Sequence, residues 1–414
     1  MSEQITIEKS LRDWWSRVKA GQVGALPAIL GLLVLCVVFG SLSSVFLTPG
    51  NFANLLTQAA AVTVIAMGLV FVLLLGEIDL SAGYAAGVCG AILVIMVTEM
   101  DYAWYIAFPA SIIFGVLLGG GIGYLVAQLK IPSFVVTLAT FLAFQGLLLL
   151  LVGEGGTIRI ENPVILAVEN KNLSVTASWI FFFFTAGAYI LSGLWKFSKR
   201  RRAGLVDNLF KFWLIKSLAL VIIGAAATSA LTVERSNNPQ LTSLRGIPYV
   251  VPVILVLLVG ATFVLSRTSY GLHIYAVGGN AEAARRAGIN VKMVRITAFM
   301  ICSGFAAVAG MIFVSRANSV SPTTGGSSTL LYAVGAAVIG GTSLFGGKGK
   351  VSDAILGGIV VAVIDNGMAL LGYPAGIKFM VTGAVLLISA TIDAVWYSSG
   401  SHLAGVVKWQ TRRS

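Results

Sequence analysis

Two carboxylates, Glu77 and Asp79, stand among apolar and small residues in the stretch LLLGEIDLSAGYAAGVCG, residues 73–90. An ionised carboxylate in hydrocarbon costs roughly 2.5–3.5 kcal/mol even on the gentler insertion scales, so a chain that keeps two of them either uses them or hides them. Two kinds of chemistry are open to such a pair. A proton carrier must titrate, whereas an acid that serves a polar break in a helix need only accept hydrogen bonds. Further hydrogen-bonding side chains lie within or beside apolar stretches: Asn54, Gln58, Gln145, Asp365 and Asn366. The stretch GTSLFGGKG superficially resembles a phosphate loop. However, Lys348 does not follow a G-x4-G pair, and Gly349 stands where Ser or Thr would bind the metal of a nucleotide. No ATP site, metal centre or cofactor is therefore expected in this chain. Cys36, Cys89 and Cys302 each fall in an apolar stretch and read as small packing residues.

The elements that hold these residues follow from composition. The chain is 57% hydrophobic and 11% charged, with a mean hydropathy of +0.92, far more apolar than a soluble domain. Apolar stretches long enough to cross ~30 Å of hydrocarbon run over 26–47, 56–75, 81–98, 105–129, 133–152, 177–195, 212–232, 248–266, 294–315, 328–345, 351–371 and 376–397. The tenth is short and rich in Gly. The fold class expected is an all-α integral membrane protein, a polytopic bundle of about ten to twelve transmembrane helices with broken or re-entrant segments. The net charge of +12 does not imply nucleic acid, because the basic residues fall in loops. With alternating spans and a cytoplasmic N-terminus, Lys9, Arg12, Arg17, Lys19, the run Lys199–Arg202, Arg285, Arg286, Lys292, Arg412 and Arg413 all lie inside, as the positive-inside rule requires. Both termini are then cytoplasmic. Residues 1–25 are expected to form a leader in which Leu11, Trp14, Trp15 and Val18 share the face of a short interfacial helix, a disordered leader being the alternative; 26–400 are expected to form the transmembrane domain and 401–414 a tail.

Gly76, Leu80 and Gly83 recur at the spacing of Gly340, Leu344 and Gly347, a weak internal repeat of two Gly-rich helix breaks. The plain alternative is two tight turns; the acids weigh against it, because a cytoplasmic turn ordinarily carries Lys or Arg. In stretch 105–129, Gly115, Gly119 and Gly123 form a stripe that admits another helix closely.

The loop SRTSYGLHIYAVGGNAEAARRAGINVKMVRI, residues 266–296, contains a turn signal at Gly278-Gly279-Asn280. Asn280 is placed to cap a short helix over AEAARRAG that Gly288 stops. Glu282, Ala283, Ala284, Arg285 and Gly288 carry the pattern EAA-x3-G, which resembles the signature of bacterial ABC importer permeases. Together with GEIDLSAG, IYAVGGNAEAARRAGIN and AVIGGTSLFGGKG, it is similar to the sugar branch of that superfamily, the ribose and xylose permeases, over about Asn51 to Asp393. The Leu-Pro ending of the signature found in other branches is missing here. The acid in EIDLS, the segment KIPSFVVTLATFLAFQG, the ending IDNGM and the extra apolar segments within 177–235 resemble the D-xylose members.

The resemblance implies an ABC importer permease that is not itself an enzyme, in a bacterial inner membrane. Its loop 267–293 would dock on a separate ATP-binding subunit, with a periplasmic sugar-binding protein and a second copy of the permease as further partners in the lipid bilayer. A neutral, hydroxyl-rich sugar needs a path of hydrogen-bonding groups, for which Asn54, Gln58, Glu77, Asp79, Gln145, Asp365 and Asn366 are the candidates; Asp365 and Asn366 serve equally as glue between helices. The rival reading is a proton-coupled secondary sugar transporter, for which two acids and twelve spans are a reasonable set of parts. The EAA loop opposes it.

Overall fold

The computed structural model describes residues 26–202, 210–236, 238–240 and 242–410. The expected interfacial helix around Trp14 and Trp15 lies outside the described residues, as do Arg412 and Arg413. Among the described residues the chain is all-α apart from two two-residue strands, and eight helices are long and apolar enough to cross a membrane. Each of the twelve apolar stretches corresponds to a helix. Three are shorter than a full crossing: Leu26–Leu42, Ala82–Thr98 and Ser327–Gly340. The helix in the tenth stretch ends at Gly340, short of the expected 345, because Gly341 adopts φ +120°, which a residue with a Cβ rarely does.

The chain divides into two units. The larger comprises Gly24–Leu47, Asn54–Asn170 and Tyr249–Ser414. At its centre is helix α3 (Ala82–Thr98), from Ala82 to Val94 almost wholly buried, built from Gly, Ala and Val so that neighbours approach its backbone. Helix α12 (Val291–Ala317) packs along it, and helix α4 (Trp104–Ala127) packs on α12 through the expected glycine stripe. A Cβ on Gly115 would meet the Ser303 carbonyl, one on Gly119 that of Phe299, and one on Gly123 the backbone of Ile296. This is packing by close backbone approach, the means open to helices that gain nothing from hiding apolar surface in lipid. Helices α13 (Ser327–Gly340) and α14 (Val351–Leu370) pair in the same way, Gly357 against Ala336 and Gly340 against Asp353. Strands β1 (Ile158–Arg159) and β2 (Ser319–Val320) pair antiparallel, and beside them the short helix α6 (Pro163–Asn170) lies on the end of α12.

The smaller unit groups Thr48–Ala53 with Lys171–Pro248. Its body is a hairpin of α7 (Val175–Arg202) and α8 (Phe210–Thr232). The contacts within it are aromatic: Trp213 covers Gly193, Phe182 covers Gly224, and Phe197 stacks edge-on against Phe210. Phe183, Phe184, Leu191, Ile215 and Ile223 are exposed, as expected of surface that lipid covers. The basic end of α7 places Lys199 over the ring of Trp195, 3.9 Å from its centroid.

Candidate functional site

Helix α2 (Pro49–Leu73) unwinds at Gly76, whose φ of +71° is the left-handed conformation that only glycine adopts without strain. The chain then runs through Glu77-Ile78-Asp79 before α3 begins. The two acids of this break have different partners. Glu77 lies 3.2 Å from Nε of Arg295, a residue of α12, with both side chains largely shielded from solvent. Asp79 is fully buried, and its Oδ1 accepts hydrogen bonds from the Ser81 backbone N–H (2.9 Å) and the Ser81 hydroxyl (2.6 Å). It thus satisfies donors at the start of α3 that would otherwise be orphaned. Helix α5 (Ser133–Val152) holds Ile78 between them: the Ile78 N–H donates to Ser133 Oγ (3.4 Å), and Thr137 Oγ1 donates to the Ile78 carbonyl (3.2 Å).

The second Gly-rich stretch meets the first. Gly347, φ +70°, donates its backbone N–H to the Leu74 carbonyl at 2.8 Å. The turn of residues 341–350 is closed on itself by Ser343 N–H donating to Lys348 O (2.9 Å), and on α14 by Lys350 N–H donating to Asp353 Oδ2 (2.7 Å). The resemblance between the two breaks is one of place rather than conformation. Gly76 and Gly347 are left-handed, whereas their counterparts Gly340 and Gly83 sit in helix ends, pressed against the Asp353 and Gly325 carbonyls.

The loop that follows α9 (Val250–Arg267) carries two helices, α10 (Ser269–Gly279) and α11 (Ala281–Arg286). Gly278 and Gly279, expected in a turn, are helical, and Gly278 presses on the Leu74 carbonyl so closely that a Cβ would collide with it. Asn280 caps α11 as expected, its Oδ1 accepting from Ala283 N–H at 2.9 Å. Gly288, φ +86°, ends it, with Ile289 N–H donating to Ala284 O at 3.1 Å. Ala284 is buried against its own chain, while Ala283, Arg285, Ala287 and Gly288 are exposed. Glu282 pairs with Arg285 (2.9 Å) and Arg286 (3.2 Å) on its own helix, and hydrogen bonds from the two guanidiniums hold its carboxyl below the usual range.

The remaining candidates lie elsewhere. Asn54 is exposed and Gln58 half-buried on α2, and Gln145 is half-buried on α5. Asp365 is 3.7 Å from Lys378 of α15 (Ala375–Gln410), and Asn366 beside it is buried. The junction also includes residues that the sequence reading passed over. Arg295 left a signal, a lone cation inside an apolar stretch that must find a partner. Tyr275, whose hydroxyl donates to the Gly349 carbonyl at 2.8 Å, and Ser133 and Thr137 left none.

Residues 51–390 match the family described as the permease component of the branched-chain amino acid transport system. The chain is 34% identical over 349 residues to the xylose transport system permease protein of Escherichia coli (strain K12), covering 84% of this chain and 86% of the relative. It is 34% identical to the protein of the same name from Haemophilus influenzae, over 84% of this chain and 90% of that one. It is 27% identical to the ribose import permease protein of Escherichia coli (strain K12), over 88% and 92%. No solved structure matches the chain significantly. A multi-pass helical membrane protein that matches this permease family over most of its length, the chain belongs to it.

Proposed function

We propose that the chain is the membrane-spanning subunit of an ATP-driven importer of a monosaccharide, D-xylose, in a bacterial inner membrane. Both termini are cytoplasmic in this reading, in line with the basic residues at the end of α7 and in the loop of α11. A periplasmic binding protein delivers the sugar, two copies of the permease enclose the path, and a separate ATP-binding subunit drives it. The observation that carries the importer reading is α11 itself. A six-residue helix, capped at one end by Asn280 and stopped at the other by Gly288, presents small residues and Arg285 outward and contributes little to its own bundle. Such a rigid, exposed, polar element is suited to seat in a groove on another protein. The choice of xylose rests on the greater identity to relatives named for xylose than to those named for ribose.

The pairing of Glu77 with Arg295 and the hydrogen bonds to Oδ1 of Asp79 offer both acids a structural task, which weighs against proton coupling. The test is uptake of labelled pentoses and hexoses in a strain lacking other importers, with the ATP-binding subunit and binding protein co-expressed. Xylose uptake that stops on ATP depletion and survives a proton uncoupler is expected. Uptake that an uncoupler abolishes while ATP is maintained would replace this reading with the symporter.

A further inference from the structure

Three segments of the larger unit meet at one atom, the carbonyl oxygen of Leu74. It stands just past the end of helix α2, accepts the Gly347 N–H at 2.8 Å, and lies against Gly278 of α10, so that a Cβ at Gly278 would overlap it and stand 2.8 Å from the Gly347 nitrogen. No side chain intervenes. Side chains absorb displacement by changing rotamer, but backbone pressed on backbone cannot, and a close-packed contact of this kind transmits strain. Tyr275, one turn earlier on α10, adds a hydrogen bond to Gly349 on the far side of the same turn.

The same loop grips the break a second time. After α11 the chain enters α12, and Arg295 on its first turns holds Glu77, three residues beyond Leu74. The break is thus held from the loop at two points, Leu74 by α10 and Glu77 by α12, with the exposed helix α11 between those arms. On the opposite side, Ser133 and Thr137 of α5 fix Ile78. A displacement of α11 therefore acts on a segment anchored elsewhere, and acts on both Gly-rich stretches together through the Leu74–Gly347 hydrogen bond.

Building on the docking role proposed above, we infer that Gly278 and the Glu77–Arg295 ion pair are the positioning residues that carry motion of the docking helix into the two broken segments. They neither touch the ATP-binding subunit nor bind sugar. They join the two events. A contact that supplies coupling rather than affinity has a distinctive failure: ATP continues to be hydrolysed while transport is lost.

The experiment uses the full transporter in proteoliposomes, with the permease, a co-expressed ATP-binding subunit and the sugar-loaded binding protein. It measures ATP-binding subunit retained, ATP hydrolysed and xylose taken up. Gly278→Ala and Glu77→Gln are each expected to keep association within about twofold of wild type while uptake per ATP falls about tenfold, the range over which residues remote from both ligands alter coupling. Exchanging the pair, with Glu77→Arg and Arg295→Glu in one chain, is expected to recover part of the uptake that either single change loses. Loss of packing alone would not be relieved in this way. Should Gly278→Ala fail to fold, Glu77→Gln and the exchange decide the matter. Wild-type uptake per ATP in the folded variants overturns the inference, as does a loss of association in step with uptake, which would make these residues part of docking. A wild-type permease that retains no ATP-binding subunit overturns the docking reading and this one with it; assembled and fully coupled variants overturn this one alone.

Discussion

Helix α3 and the hairpin α7–α8 are both apolar enough for a membrane and opposite in construction. Along α3, Gly83, Gly87 and Gly90 let carbonyls of other segments come within reach of its axis, and nearly every residue from Ala82 to Val94 is buried. Along the hairpin, Gly187 faces open space, Gly193 and Gly224 meet aromatic rings rather than backbone, and Phe183, Phe184, Ile215 and Ile223 are exposed. Hydropathy measures transfer from water into apolar surroundings and does not distinguish lipid from protein. Small residues mark the helix that must be approached; large ones mark the helix that lipid covers.

The largest effect expected from this contrast is on folding. A leucine at Gly119 of α4 would drive its side chain into the Phe299 carbonyl, and overpacking of this kind costs typically about 1–3 kcal/mol and occasionally more, a large fraction of the ~5–15 kcal/mol by which folded proteins are stable. Gly119→Leu should abolish recovery of monodisperse protein. Gly187→Leu, with nothing within 4 Å of the added Cβ, should leave yield and melting temperature unchanged within error. Equal behaviour of the two variants in size-exclusion and thermal-shift measurements would break the comparison.

A smaller effect is expected at the buried acid. Asn at position 79 keeps an oxygen for the Ser81 N–H and hydroxyl, whereas Leu leaves both donors buried without a partner, at about 1–3 kcal/mol each. Asp79→Asn should therefore retain most transport and Asp79→Leu little. Complete loss in both, with normal folding, would mean that the carboxyl must titrate and would revive proton coupling.

The exposed loop should respond without global damage. Asn280→Ala removes the cap of α11 and costs about 0.5–2 kcal/mol of local stability, and Gly288→Val places a β-branched residue at φ +86°. Both should leave the bundle folded while retention of the ATP-binding subunit in a pull-down falls severalfold. Retention at wild-type level would make α11 a connector.

How far the sequence revealed this arrangement depended on the range of the cause. The twelve apolar stretches all became helices because length and hydropathy act locally. The cap at Asn280 and the stop at Gly288 were legible for the same reason, since a helix end is settled within a few residues. The stripe of Gly115, Gly119 and Gly123 announced a close neighbour but not which one. What pairing with distant segments decides was hidden: the partner of Glu77, the helical state of Gly278 and Gly279, and the unequal conformations of Gly76 and Gly340. In each case the local signal was that of an ordinary turn or an isolated acid, and tertiary contact overrode it.

The least effect is expected from two carboxylates outside the spans, which sharpen the contrast between the units. In the smaller unit Glu234 accepts from the N–H groups of Leu244, Arg235 and Ser236 and from the Ser243 hydroxyl, and lies 2.9 Å from Arg245; these donors hold its carboxyl down to about 2. In the larger unit Glu169 of α6 is buried, neither of its oxygens has a hydrogen-bond partner, and burial pushes it up to about 8 although Arg316 pulls the other way. The signs of the two contributions are opposite. A raised carboxyl binds its proton more tightly folded than unfolded, so its contribution is fully present below the ordinary glutamate value of 4.5 and is lost as pH rises towards about 8. A lowered one contributes fully above 4.5 and loses that contribution as pH falls towards about 2. Hydrogen exchange of Pro163–Asn170 should accordingly quicken, beyond the intrinsic pH dependence of exchange, between pH 4.5 and 8. Glu169→Gln, which cannot ionise, should flatten that rise. Residues 234–246 should show no such excess over the same interval, because Glu234 stays ionised throughout it whether the loop is folded or open. If Glu169→Gln leaves the profile of α6 unaltered, the buried acid is reached by water or by Arg316, and the contrast between an unpartnered Glu169 and a fully partnered Glu234 fails.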